Sequence, residues 1–517
     1  MSRSKTPSFV TELPLQVSPS DEHTLLVRLD VARQAYNACL SECLRRMDLM
    51  RQSKAYQAAR KLPRGEKGSP AAKVRTKAFR DLNTKFGFRE YDLHAWATPH
   101  IKRQWLGEHL DIRTIQKLAT RAFHATEQYA YGRRGRPRFK GQNQMDSVES
   151  KSSDRGIRWS NGHVEWTGLN LPAIIPTGDP FIQHGLSCRI KYTRLVRRKL
   201  NGRNRFYAQL VCEGQPYCKP KNTIGQGVVG LDIGPSTIAV VAPEAKVAFF
   251  ETLCSELKAN QKAIRRIHRK LHRQRKAKNP NNYTASGAIK RNPKAWHKSN
   301  RQRRTQAKLA EVYRKQAAHR KSLHGQMVNR ILKLGNVFKL EKLSYYAFQR
   351  SFGKSVDFRA PGTFVQRLRL KAASAGAIVD EFPTHTTRLS HICHGCGSIE
   401  LKPLWQRWHI CQCGIVAQRD LYSAFLATCV HDARLDAGQA AEAWPGVDSL
   451  LQAASSCSKP ANGGLRVAHL GSDSQGQSRS PVTSGTKADE TREAVPVIMG
   501  RESPGEAAEM QESMHLT

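Results

Sequence analysis

VVGLDIGPSTIAVVAP, residues 228–243, is the stretch from which the rest of the chain is read. An apolar run ends at Asp232, turns through Gly234, Pro235 and Ser236, and returns as a second apolar run, TIAVV. Short Val/Ile/Leu runs bounded by turn residues predict two buried strands joined as a hairpin. The turn leaves one carboxylate at the hairpin mouth. Alone, an Asp in such a place is more often a turn residue, so its weight depends on what lies further along the chain. Downstream, NVFKLEKLSYYAF (336–348) alternates Val337, Phe338 and Leu340 with Lys339 and predicts a short strand ending on Glu341. In the plainer reading Glu341 is an exposed residue paired with Lys339 or Lys342.

The most specific segment is CHGCGSIELKPLWQRWHICQCGIVAQRDLYSAFLATCV (393–430). Cys393 and Cys396 form a Cys-x-x-Cys turn followed by Gly397, and Cys411 and Cys413 form a second pair before Gly414. Four soft ligands on two tight turns suit one tetrahedral Zn2+. The second pair has one spacer where two are usual, which leaves His394 or His409 as substitute ligands. The other eight cysteines are scattered (39, 43, 188, 212, 218, 254, 429 and 457), as reduced thiols are. Directly after the cysteines, Asp420 opens the helical pattern DLYSAFLATCV; the plainer reading makes it an N-cap.

Composition names the partner. The 517 residues include 85 Lys and Arg against 42 Asp and Glu, a formal net charge of +43. Such an excess repels itself unless a polyanion neutralises it. The charge is spread over many segments and gathers on no single amphipathic helix, which disfavours a membrane surface. No secretory leader or long apolar span is read, so a cytoplasmic location is expected. YAYGRRGRPRFKGQ (129–142) sets Arg133, Arg134, Arg136, Arg138 and Lys140 among aromatics, a pattern suited to phosphate contact and base stacking. Residues 257–334 read as two long basic helices broken around KNPNNYTASGAIKRNP (278–293). The first places Ile264, Ile267 and Leu271 at helical spacing beside Arg265, Arg266, Arg269, Lys270 and Arg273. A solvated surface is the bland account of both segments.

The order GLDIG, LEKL, HTTRLSHICHGCG, CGIVAQRDLYSAFLA resembles the TnpB family, the OrfB proteins of insertion sequences, to which compact type V CRISPR effectors are similar. The GRPRFK loop, the LNLP segment, the KLHRQRK hairpin and FVQRLRLKAASAGAIVDEFP follow the same order, so the resemblance spans about 125–430. It implies an α/β multidomain chain: an RNase H-like (RuvC) nuclease core with a zinc-finger insert, an N-terminal β-barrel wedge and a helical recognition lobe. The implied divisions are 1–30 and 126–222 for the wedge, 31–125 for the recognition domain, 223–388 for the RuvC domain with its basic hairpin, 389–415 for the zinc insert and 416–435 for the last RuvC segment. Residues 436–517 read as a disordered acidic tail; from 431 onward seven Lys and Arg face twelve Asp and Glu.

By matching motifs, the resemblance gives Asp232, Glu341 and Asp420 the catalytic, Mg2+-binding positions, and Cys393, Cys396, Cys411 and Cys413 the zinc positions. The implied function is RNA-guided, Mg2+-dependent DNA cleavage with two Mg2+ ions and one Zn2+, a guide RNA and a double-stranded DNA target as partners. The family pattern has Asp-Arg-Asp and an Asn two residues past the catalytic Asp. Here Gln418 and Tyr422 stand at those places, and the alternative they raise is a guide-RNA-bound DNA binder that cuts weakly or not at all. A strand transferase would need a nucleophilic Tyr or a distinct acidic triad, and no HUH-type His pair with a partner Tyr is found.

Overall fold

The computed structural model describes residues 6–66, 68–219, 223–257, 260–403 and 405–457, in two compact units, Met1–Cys218 and Lys219–Thr517. The first unit begins with β1 (Ser8–Pro14), α1 (Pro19–Gln52), α2 (Lys54–Lys61), α3 (Pro70–Lys85), α4 (Glu90–Lys102), α5 (Leu106–His109) and α6 (Ile112–Ala130). It continues through β2 (Ser147–Glu149), β3 (Arg158–Ser160), β4 (His163–Trp166), β5 (Leu169–Pro172), α7 (Pro180–Ser187), β6 (Ile190–Leu200) and β7 (Arg203–Glu213). Strands β1-β7-β6-β2 form one antiparallel sheet and β3-β4-β5 a second.

The helix α1 overturns one reading. In sequence TLLVRLD (24–30) alternates apolar and polar residues as a strand does, ahead of a helical pattern from Asp30 to Leu40, yet the whole stretch lies inside α1. Ser18 accepts the Asp21 N–H, Pro19 occupies the first turn, and Asp21 and Glu22 complement the helix dipole. From there Leu25, Leu29, Ala32, Tyr36, Cys39, Cys43, Met47 and Met50 recur at intervals of three and four and are buried along one stripe. The apparent alternation was a fragment of that stripe. Among the described residues, 6–30 therefore supply one strand and a helix start.

The second unit carries β8 (Val228–Ile233), β9 (Thr237–Ala242), β10 (Val247–Thr252), α8 (Gln261–Lys278), α9 (Asn300–Leu332), β11 (Val337–Glu341), α10 (Tyr345–Arg359), α11 (Pro361–Ser374) and β12 (Ile378–Phe382). After α12 (Thr384–Thr387) come β13 (Trp408–Ile410), β14 (Val416–Gln418), α13 (Arg419–Thr428), β15 (Val430–His431), β16 (Arg434–Leu435) and α14 (Ala437–Cys457). Five strands form one sheet in the order β10-β9-β8-β11-β12. β8, β9 and β10 pair antiparallel as a meander, whereas β11 pairs parallel with both β8 and β12.

Side-chain alternation gives this sheet two buried faces. Val229, Leu231, Ile233, Phe338 and Leu340 pack with Val328 and Ile331 of α9 and Phe364 and Leu368 of α11. On the other face, Ala239 and Val241 meet Leu421, Phe425 and Leu426 of α13 and Val447 and Leu451 of α14. The tail reading is corrected here: residues 437–457 form a helix whose Ala440, Val447 and Leu451 are buried. Their Ala-rich composition looked unable to fill a core alone, but it caps one that α13 and the sheet have already begun. Residues 458–517 of the expected tail lie outside the described residues.

Lys339, 5 % exposed, ties β11 to the end of α13: its Nζ donates to the carbonyls of Thr428 (3.1 Å) and Val430 (2.6 Å). Burial holds its pKa below the ordinary lysine value. Lys339→Met would leave both carbonyls unpaired, and chemical denaturation should show a loss of about 1–3 kcal/mol; an unchanged midpoint would remove this tie from the account.

A candidate carboxylate site beside a four-cysteine cluster

The alternation that buries Leu231 and Leu340 on one face turns Gly230, Asp232, Lys339 and Glu341 to the other, where α13 lies. Leu231 and Leu340 are register partners on parallel strands, so Asp232 and Glu341 are the next residues on neighbouring strands. A Cβ on Gly230 would sit 1.8 Å from the carbonyl oxygen of Ala424. The missing side chain thus lets α13 lie directly on β8.

The first turn of α13 contributes the third carboxylate. Gln418 is the N-cap, its Oε1 accepting the Leu421 N–H at 2.6 Å. Residue 418 therefore does the capping that the plainer reading gave to Asp420, and the Asp420 carboxylate is left for other partners. Arg407 and Arg419 each approach it at 3.6 Å. One turn on, Ser423 lines a cavity of about 10 Å³, room for one water-sized sphere, together with Asp232, Glu341, Leu343 and Leu389.

Asp232 is almost enclosed by protein but keeps a small solvent-facing surface. Burial, then the charges of Asp420 and Glu341, push its carboxyl well above the ordinary value, with Arg419 and Arg407 opposing. Burial also raises Glu341, while the Thr387 hydroxyl (3.4 Å from Oε1) and the Leu389 N–H hold it down. Asp232 thus feels the charge of both other carboxylates. The three are spaced more loosely than the thiols: among the described residues only the four cysteines have three or more ligand atoms all within 4.8 Å. Anions gathered in a partly closed site favour hard cations.

Cys393 Sγ lies 3.5 Å from Cys413 Sγ, and Cys396 Sγ 3.4 Å from Cys411 Sγ. Tetrahedral Zn–S bonds of about 2.3 Å place sulfurs roughly 3.8 Å apart, so the set fits zinc. Each turn closes on a glycine N–H, Gly397 on the Cys393 carbonyl four residues back and Gly414 on the Cys411 carbonyl three residues back. Gly397 (φ +71°) and Gly414 (φ +92°) supply the left-handed backbone these turns need. The Cys413 backbone N–H is the first cause bringing the Cys411 thiol down to about 6, while burial pushes Cys393 up to about 12. The single spacer is accommodated, since β13 and β14 pair as a hairpin around the second turn. β14 therefore belongs to the cysteine module and moves its boundary past 415.

Neither histidine joins the four-cysteine cluster. His394 donates its backbone N–H to the Tyr422 hydroxyl (3.0 Å), and its Nδ1 bonds the same oxygen at 2.7 Å. His409 stacks on the Tyr422 ring at 4.4 Å, and its Nδ1 meets Lys402 Nζ at 2.9 Å. Tyr422 thus faces the cysteine module, pinning it to the helix that carries Asp420. The sequence showed that Tyr422 departs from the expected pattern but not where the ring points. Thr387 and Ser423 were missed as site residues; their one signal was position, inside HTTRL and one turn past Asp420. As an expected result, metal analysis of the purified chain gives one zinc per protein. Cys393→Ser should lower that to well under half, and a well-folded, zinc-free wild type would refute the assignment.

The basic residues fall in two places. Arg133, Arg134, Arg136 and Arg138 are exposed in the 131–142 loop. Arg136 pairs with Asp48 at 3.3 Å. Lys140 is half-buried over the Tyr36 ring, its backbone clamped by Asn37 through N–H and carbonyl bonds of 2.9 Å each. On α8, Arg265, Arg266, Arg269, Lys270 and Arg273 are all exposed. No helix among the described residues is long and apolar enough to cross a membrane.

No family model and no curated protein matches the chain. Among solved structures, it is similar to a Cas12f1–sgRNA–target DNA complex at 10 % identity, covering 81 % of this chain and 98 % of that one with a TM-score of 0.39. It is also similar to a CRISPR–Cas12f ternary complex at 10 % identity, covering 83 % and 100 % with a TM-score of 0.24.

Proposed function

We propose that the chain is an RNA-guided, Mg2+-dependent DNA endonuclease of the TnpB type, with an RNase H-like (RuvC) catalytic unit and a zinc module packed against its last helix. The observation that carries this reading is the placement of Asp232 and Glu341 side by side at the ends of parallel strands in a β10-β9-β8-β11-β12 sheet, with α13 bringing Asp420 to the same face. Three hard oxygen donors on three rigid elements form a preorganised cation cradle. Bound Mg2+ would supply a Lewis acid for the scissile phosphate and acidify a water.

The chain's own groups do the rest. Asp232 is the central carboxylate, its charge disfavoured by burial and favoured by Arg419 and Arg407, and a bound cation would favour that charge further. The Thr387 hydroxyl and Leu389 N–H fix one rotamer of Glu341, and Arg407 and Arg419 offset part of the charge beside Asp420. The four cysteines would hold Zn2+ in a structural role, closing a module that has no buried core of its own size. In the first unit, the two sheets joined at the Leu15–Ala173 bridge would form the wedge, with α1 to α6 as the recognition lobe. The Arg133–Lys140 loop and the exposed α8 arginines would follow phosphates of a guide RNA and a double-stranded DNA target, leaving sequence choice to base pairing.

The binding-only alternative arose from Gln418 and Tyr422, and both have structural duties away from the carboxylates. The test is purification with co-bound RNA, sequencing of that RNA, and incubation with DNA matching its guide segment, with and without Mg2+. A defined structured RNA and Mg2+-dependent cutting are expected. Random cellular RNA with no cutting would reject the proposal.

A further inference from the structure

The α8–α9 hairpin closes through residues 279–299, a stretch that looks like a polar break in sequence but is rigid in structure. Buried Asn279 accepts the His297 N–H (2.7 Å) and donates to the His297 carbonyl (2.9 Å); buried Asn282 does the same with Lys294, at 2.7 and 2.9 Å. These paired bonds lock the chain on either side of Trp296. The Tyr283 ring, buried, meets Trp296 edge-on at 5.9 Å, and the Arg275 guanidinium stacks 3.8 Å from the indole centroid. An open pocket of about 500 Å³ results, walled by Lys278, Trp296, His297, Lys298 and Arg303. Arg275 is not among its walls, so the indole meets the pocket elsewhere than beneath that guanidinium. No acidic side chain lines it.

Helix α9 adds a second, independent sign. Its first turn holds no acid but does hold Arg301 and Arg303, cations placed where the helix dipole is already positive. That arrangement is unfavourable until an anion binds there.

We propose that this pocket takes one unpaired nucleotide of a nucleic-acid strand, its base against Trp296 and its phosphate between Lys278, Lys298 and Arg303. A base inside a duplex is already stacked on both sides, so an aromatic wall selects for one that is not. The volume suits such a ligand, since small-molecule pockets span roughly 300–1,000 Å³. RNA and DNA offer the same chemistry apart from the 2′-hydroxyl. The inference rests on the nuclease reading only for which strand arrives; binding itself needs no cleavage.

Fluorescence anisotropy of the full chain in Mg2+-free buffer tests it, with a short uridine-rich RNA, a thymidine-rich DNA and a DNA duplex of equal length. Trp296→Ala should weaken binding of at least one unpaired strand roughly 10- to 100-fold and leave the duplex within about twofold. Trp296→Phe should restore most of the affinity. Lys278→Ala and Arg303→Ala should each lower the salt dependence by about one phosphate contact. Which single strand loses more identifies the source, RNA or DNA. Trp296→Leu, with apolar bulk but no π-face, carries the test if the alanine variant unfolds. Equal losses on single strand and duplex, or no loss on either single strand, would overturn the pocket. Because the buffer holds no Mg2+, these losses are read without any cutting, while Mg2+-dependent cleavage is assayed separately, so a failed nuclease reading and a failed pocket give different results.

Discussion

Asp232→Asn is expected to reduce Mg2+-dependent DNA cleavage by at least about 10³-fold, since metal-ion charge stabilisation is worth several kcal/mol and each 1.36 kcal/mol is about tenfold in rate. The same change should raise the melting temperature of the metal-free protein near neutral pH. The carboxyl of Asp232 has a folded pKa above its unfolded value of 3.8, from burial first and then from Asp420 and Glu341. Its favourable contribution is therefore complete below that unfolded pKa and is lost as pH rises through the folded one. At neutral pH, without cations, Asp232 therefore opposes folding relative to acid pH. Asparagine keeps the shape and removes the charge. Cleavage assays and thermal melts in chelator, with Mg2+ added back, read both effects: Mg2+ should stabilise the wild type more than the variant. Equal cleavage by the two proteins would take Asp232 out of the site, and a lower metal-free melting temperature would contradict the electrostatic account.

The second large effect is expected at Gly230. An alanine methyl there would meet the Ala424 carbonyl oxygen at 1.8 Å and its carbon at 2.9 Å, both backbone atoms that cannot rotate aside. Either β8 bends or α13 lifts. Overpacking of this kind costs typically about 1–3 kcal/mol and occasionally more, and Gly230 belongs at the upper end because backbone must move. A lifted α13 also carries Asp420 away from Asp232, so cleavage should fall more than the loss of folded protein explains. Gly353→Ala, where nothing lies within 4 Å, is the matched control and should change neither quantity. A Gly230→Ala protein with wild-type melting and cleavage would show that the close approach is not what positions Asp420.

What could be read in advance followed from local rules. The β8 and β11 strands and their terminal carboxylates were legible because apolar runs and turn residues mark strand ends within a few positions. The cysteine turns were legible because ligand spacing is fixed by geometry. The errors had tertiary causes. TLLVRLD contains too little of the α1 stripe to reveal a 3.6-residue period, and the signal that starts the helix, Ser18 with Pro19 and Asp21, lies before it. Helix α14 buries Val447 and Leu451 only because α13 and the sheet supply the opposite wall. Asn279 and Asn282 look like turn-formers in sequence, and only the folded chain shows their amides clamping Lys294 and His297. Tyr422 stood out as unusual, but its partners His394 and His409 are set by the folding of the cysteine module, which sequence spacing does not give.

The pairing of Gly230 with Lys339 on adjacent strands, and of both with α13, sets an order on biosynthesis. As the ribosome extends the polypeptide, Asp232 and Glu341 emerge well before Arg419, where α13 begins. Contacts so distant in sequence form slowly, because long loops must close first. A product released before Arg419 would present two of the acids over an uncovered sheet face, without the element that completes them. The three-carboxylate site is thereby withheld from nascent and prematurely terminated chains, and it is complete only once translation has passed the cysteine turns.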